Sequence, residues 1–165
     1  MSEQLDLFAE PEKNKLDSEN IPKSSNNDRI LYFDLETQKS ADDVGGWGNI
    51  HDMKLAVGVV WDSVDQKHFS YLESEAPQLV KKLCMADLVV GFNVKKFDYT
   101  VLQPYADFDL SEIVTFDMLD DIKSKLNHRL SLNHLAENTL NAKKSADGLV
   151  SLQWYKEGKI DKIIE

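Results

Sequence analysis

The 165-residue chain is 42% hydrophobic, 29% charged and 9% aromatic, a balance that suits one compact domain able to bury a core without disulfides or a structural metal. Its formal net charge of −10 excludes a basic protein that coats nucleic acid with Lys and Arg, but not a small site that meets nucleic acid through metal ions. A single cysteine, Cys84, excludes a disulfide framework or a Cys-rich zinc module and fits a reducing compartment.

Residues 1–28 read as an acidic tail. Seven acidic and three basic side chains, two prolines and the polar run Lys23-Ser24-Ser25-Asn26-Asn27-Asp28 leave too little apolar surface to offset the entropy of ordering it. The short patch Leu5-Asp6-Leu7-Phe8 is the one segment there with material for docking. The start of the chain lacks the basic and apolar regions of a signal peptide, and no apolar run approaches the ~20 residues of a membrane span. The expectation is a cytoplasmic protein whose folded domain covers residues 29–165.

Ile30-Leu31-Tyr32-Phe33-Asp34-Leu35-Glu36 is rich in β-formers and predicts a first strand. Thr37 to Asp52, with Gly45, Gly46 and Gly48, predicts a loop. Lys54–Trp61 and Lys67–Leu72, separated by Asp62-Ser63-Val64-Asp65-Gln66, predict a hairpin. A helix should follow with Ser74 as its N-cap and with Leu79, Val80, Leu83 and Cys84 on its inner face. Leu88-Val89-Val90-Gly91-Phe92 has the wholly apolar text of a strand covered on both faces.

Phe97–Leu102 then predicts a helix ending near Pro104, and Glu112–Phe116 a further strand. Helices are expected through Leu119, Ile122 and Leu126, after Ser131 as N-cap, and over Leu149–Tyr155. Strands cluster early and alternate with helices later, so the class is α/β with a mixed sheet of about five strands, the first three antiparallel, flanked by helices.

The sharpest chemical signal is Asp34-Leu35-Glu36. Alternation along a strand puts both carboxylates on one face and Leu31, Phe33 and Leu35 on the other. Paired carboxylates repel unless a cation lies between them, and Mg²⁺ favours such oxygens together with water and phosphate. A solvated strand face would show the same pattern. Asp98 follows the apolar strand, at the start of a helix, where a side chain can reach across the C-terminal ends of neighbouring strands. By itself it suits an acid that favours the helix dipole; with the strand pair it makes a third ligand.

Asp34-x-Glu36 followed by Asn93-x-x-x-Phe97-Asp98 resembles the first two motifs of the DEDD 3′–5′ exonucleases, which have a ribonuclease H-like fold. Three longer segments, Tyr32–Gln38, Val44–Asn49 and Lys144–Leu149, resemble the bacterial predicted-exonuclease branch of that superfamily, also described as DNA polymerase B exonuclease-like. The likeness runs from about Arg29 to Glu165. It implies a metal-dependent nuclease that cleaves terminal phosphodiesters of DNA or RNA, with Asp34, Glu36 and Asp98 as catalytic residues holding two Mg²⁺ or Mn²⁺ ions. Thr37 and Asn93 are candidates for substrate contact, Asn93 also as a turn or cap residue, and Lys95, Lys96, Lys123, Lys125, Arg129, Lys143 and Lys144 for phosphate contact, Arg129 and Lys144 foremost.

The family also needs a fourth carboxylate, placed four residues after a Tyr or five after a His. Late in the chain, Tyr155 leads to Lys159, His128 to Asn133 and His134 to Thr139, so none of these three supplies the acid. The expectation from the resemblance is a chain that stops short of its third motif and last helix. Two further residues keep two roles open. Asp117 suits a helix cap or a substrate contact, and Trp47 a base-stacking ring or a loop anchor packed on the domain. The alternative function is a non-catalytic module of the same fold that binds nucleic acid or a protein.

Overall fold

A computed structural model describes residues 28–142 and 148–164 of the chain. Of the expected tail, residues 1–28, all but Asp28 lie outside the described residues, as do Lys143 and Lys144. Five strands, β1 (Ile30–Thr37), β2 (Leu55–Asp62), β3 (Lys67–Leu72), β4 (Leu88–Gly91) and β5 (Thr115–Asp117), form one sheet in the order β3-β2-β1-β4-β5. The first three are antiparallel to one another, and β4 and β5 run parallel to β1. The helices are α1 (Ala76–Cys84), α2 (Asp98–Leu102), α3 (Met118–Leu126), α4 (Leu132–Leu140), α5 (Gly148–Lys156) and α6 (Asp161–Ile164). This is the mixed, helix-flanked α/β sheet of the ribonuclease H-like fold.

The alternation in β1 decides the two faces of the sheet. Leu31, Phe33 and Leu35 are buried and join Leu79, Leu83, Val89, Val101 and Leu102 in the core. Tyr32 and Asp34 are exposed and Glu36 half-buried on the opposite side. Each core leucine contributes about 1.5–3 kcal/mol by leaving water, so a one-residue slip of β1 would move the whole apolar set out of the core. Register is held further at the chain reversal between β2 and β3. There the fully buried Asp62 accepts from Val64 N and Asp65 N and pairs with Arg29 and Lys82.

Several local expectations shift by a few residues. The segment after β1 is not a plain loop but carries two 3₁₀ turns, Asp42–Val44 and Trp47–Asp52. Ser74 does not cap α1; it lies within a 3₁₀ turn, Glu73–Glu75, that leads into the helix. Leu79, Val80 and Leu83 are buried as expected, whereas Cys84 is exposed. On β4, Val89 is buried and Val90 only half-buried, so the strand is covered fully on one face among the described residues. Ser131 does cap α4, its hydroxyl accepting from His134 N at 3.1 Å. Among the described residues no helix is long and apolar enough to cross a membrane.

Gly91 ends β4 where the sheet is tightest. A Cβ there would stand 2.1 Å from Val94 Cγ2 and 2.7 Å from the Phe33 carbonyl oxygen, closer than any side chain tolerates. Its absence lets the turn after β4 fold back against β1, and that turn delivers α2 and Asp98 to the end of the first strand.

Candidate active site

A cavity of about 550 Å³ opens beside the C-terminal half of β1. Asp34, Glu36 and Thr37 line it from the strand, Phe97 and Asp98 from the start of α2, and Trp47 from the second 3₁₀ turn. Leu149 and Leu152 of α5 add an apolar wall. The three acids expected from the sequence therefore share one cavity, although β1 and α2 are far apart in the chain; the parallel pairing of β1 with β4 brings them together.

Asp98 is the unusual member. It is 2% exposed, and its Oδ1 has no hydrogen-bond partner. Burial, and after it the negative charge of Asp34, push its carboxyl well above the usual carboxylate range. The backbone N–H groups of Asp98 itself and of Leu35 oppose that shift, and Asp117 adds a weaker push upward. A buried acceptor left without a donor costs on the order of 1–3 kcal/mol, and more when it is charged.

The three acids line one cavity but do not close into a ligand cluster. Among the described residues, no three His, Cys, Asp or Glu side chains are gathered closely enough to hold a metal ion. Like charges in a common cavity repel one another, and the acids differ in setting: Asp34 is exposed, Glu36 half-buried and Asp98 buried. The donor chemistry still suits a hard divalent cation, which prefers carboxylate oxygens. The orphaned Oδ1 of Asp98 is a position where a cation would satisfy a group that no protein donor reaches.

The other expected contacts sit differently. Thr37 is buried at the cavity wall and donates its hydroxyl to the Lys39 carbonyl at 2.8 Å, closing the strand end locally. Asn93 does not line the cavity. It occupies the left-handed region with φ +63°, and its backbone N–H donates to Asp117 Oδ1 at 2.9 Å. Arg129 is exposed in the link between α3 and α4, away from the cavity lining. Lys144 lies outside the described residues.

Asp117 does more than a helix cap. Oδ1 accepts from Leu119 N at 3.0 Å as the N-cap of α3, and the same carboxylate accepts from Asn93 N and Lys95 N. One buried side chain thus ties the start of α3 to the turn that leads to Asp98.

Lys39 is the basic side chain that sequence reading missed: it lines the cavity with the acids. Lys95, Lys96, Lys123 and Lys125, the cations drawn from later in the sequence, do not. The only signal for Lys39 was its place two residues beyond Thr37. The structure holds that segment by Gln38, whose side-chain amide donates to Glu73 Oε2 at 2.6 Å and to the Leu55 carbonyl at 2.8 Å. Tyr105 donates to the second oxygen of Glu73 at 2.9 Å.

Fold and cavity together define a ribonuclease H-like domain with carboxylates at the end of its first strand. No protein-family model matches the sequence, and no curated protein matches it. Among solved structures, the fold is similar to the family B DNA polymerase from the hyperthermophilic archaeon Pyrobaculum calidifontis, with a TM-score of 0.61 at 16% identity over 84% of this chain. The match covers 22% of the polymerase, so this chain corresponds to about a fifth of that protein. E. coli Exonuclease I in complex with a dA16 oligonucleotide matches at a TM-score of 0.49 and 14% identity, over 83% of this chain and 41% of that one.

Proposed function

We propose that this chain is a divalent-metal-dependent phosphodiesterase acting at nucleic-acid ends, a 3′–5′ exonuclease-like hydrolase in which Asp34, Glu36 and Asp98 hold Mg²⁺ or Mn²⁺. The observation that carries this reading is Asp98: a buried acid facing Asp34, with one carboxylate oxygen left without a donor. Buried acids perturbed by a neighbouring charge in a cleft are the groups that functional sites use. The motif resemblance and the fold shared with part of a DNA polymerase support the same reading.

The metal, when bound, supplies an activated water and stabilises the leaving oxygen. The chain's own part is to present the carboxylates, to keep Asp98 dry and strongly interacting, and to seat the strand end between Thr37, Lys39 and the aromatic rim. Lys39 is placed to neutralise part of a phosphate that the acids would otherwise repel.

Titration of Mn²⁺ by calorimetry, with parallel incubation of end-labelled DNA and RNA single strands, tests this. The expected result is Mn²⁺ binding lost in Asp98→Asn and Asp34→Asn, with shortening of the strands that depends on the same residues. If Mn²⁺ binding and strand shortening are both indifferent to these substitutions, the reading is wrong.

A second reading, a non-catalytic nucleic-acid or protein-binding module, is favoured by the lack of a three-carboxylate cluster among the described residues. It predicts oligonucleotide retention with intact ends in every divalent ion, or capture of a protein partner with no oligonucleotide bound.

A further inference from the structure

Trp47 is 71% exposed. It is not a buried loop anchor; the ring contact it makes is with Phe97. Its indole stands at the mouth of the cavity with most of its surface open to water.

The loop around it is built to hold the ring out. Gly46, just before it, has φ +117°, a conformation L side chains rarely adopt. Gly46 N donates to the Ala41 carbonyl at 2.7 Å, Asn49 N to the Gly46 carbonyl at 3.1 Å, and the Asn49 side chain to the Val44 carbonyl at 2.8 Å. These bonds hold the backbone on both sides of Trp47. The indole leans on Phe97, with centroids 6.4 Å apart and planes tilted by 58°. Phe97 immediately precedes Asp98, and both rings line the cavity that holds Asp34 and Glu36.

The charge of the cavity narrows what the ring can receive. Among the described residues, Asp34, Glu36, Asp42 and Asp98 line it against one basic residue, Lys39. A polyanion is therefore not held there mainly by ion pairs. Stacking of a nucleobase on an aromatic ring does not depend on charge and accepts any base.

We propose that Trp47, backed by Phe97, stacks on the terminal nucleobase of a single-stranded nucleic acid whose last phosphodiester lies against Asp34 and Asp98, and so selects unpaired ends. A paired base has its faces covered by neighbours and cannot reach the ring without fraying. This inference rests on the nuclease reading and names the substrate class of that site.

The test measures binding of fluorescein-labelled hexamers, dT6 and rU6, by anisotropy, with Ca²⁺ in place of the catalytic ion. Companions are the same hexamers with an abasic residue at the 3′ or the 5′ terminus, and a blunt duplex. Trp47→Ala should weaken the intact hexamers roughly tenfold or more, and Trp47→Phe should retain most of the affinity. An abasic 3′ terminus should cost the wild type a similar factor and make Trp47→Ala silent.

A loss confined to dT6 or to rU6 would support stacking and identify the polymer. If hexamers bind but Trp47→Ala leaves their affinity unchanged, the inference is overturned while the nuclease reading stands. An equal loss on intact, abasic and duplex ligands would also overturn it, because the ring would then serve only the loop. If no hexamer binds any form of the protein, the nuclease reading falls and takes this inference with it.

Discussion

Asp98 carries an ionisable group where water does not reach, and its consequences can be measured on the metal-free protein. Its folded pKa lies above the unfolded value. As pH rises through the usual carboxyl range, the unfolded chain gives up its proton first, and the folded state loses relative stability until Asp98 too is ionised. Asp98→Asn should therefore raise metal-free stability at neutral pH by about 1–3 kcal/mol, with the gain vanishing in acid, where the native carboxyl is already neutral. Adding Mn²⁺ should reverse the order, stabilising the native protein but not the variant. Thermal melts at several pH values, with and without Mn²⁺, check both signs.

Asp117 offers a contrast at the same scale. Three backbone N–H groups converge on it, so its charge is satisfied by the chain itself. Asp117→Ala would leave an uncapped helix and two orphaned donors. It should cost roughly 2–4 kcal/mol and should also weaken Mn²⁺ binding, because the turn that positions Asp98 loses its clasp. A destabilised variant with unchanged Mn²⁺ affinity would show that the clasp is purely structural.

Among the elements, β1 and the hairpin of β2 and β3 form the antiparallel part of the sheet, and Asp62 locks it at the chain reversal between β2 and β3. Burial alone would raise the pKa of Asp62, but the ammonium of Lys82 and the N–H groups of Val64 and Asp65 hold it far below the usual carboxylate range. The folded value lies below the unfolded one, so this contribution is complete above the ordinary carboxyl pKa and disappears as pH falls toward the folded value. Asp62→Asn leaves Lys82 and Arg29 beside a neutral group. It should cost about 3 kcal/mol at pH 7, and urea midpoints of native and variant protein should converge below about pH 4. The turn between β4 and α2 is the more sensitive element for function. Gly91→Ala has to displace Val94 or the Phe33 carbonyl, which moves Asp98. Its effect should appear in Mn²⁺ affinity as well as in stability.

For the whole molecule, acidity sets the terms of any encounter with nucleic acid. With a net charge of −10 and Lys39 as the one basic residue lining the cavity among the described residues, few counterions should be released on binding there. At a fixed divalent concentration, log Kobs for a single-stranded oligonucleotide should fall with log[salt] at a slope of roughly −1, since each phosphate neutralised contributes about −0.7. A slope several times steeper would mean that a basic surface away from this cavity carries the binding.

The sequence by itself determined whatever depends on neighbours along the chain. Alternation in Ile30–Glu36 assigned Leu31, Phe33 and Leu35 to the core and Asp34 and Glu36 to one face. The polar reversal after Trp61 marked the hairpin, and Ser131 and Asp117 announced two helix starts. Only the tertiary structure decided what depends on distant segments meeting. The pairing of β1 with β4, allowed by the missing side chain at Gly91, put Asp98 beside Asp34 and stripped it of water. The same folding back brought Asn93 and Lys95 onto Asp117, while the connection from β1 to β2 set Lys39 at the cavity wall and left Trp47 exposed at its rim. A periodic pattern reports which way a side chain points from its own backbone. What it points at, and how dry that place is, follows from the order of the strands in the sheet.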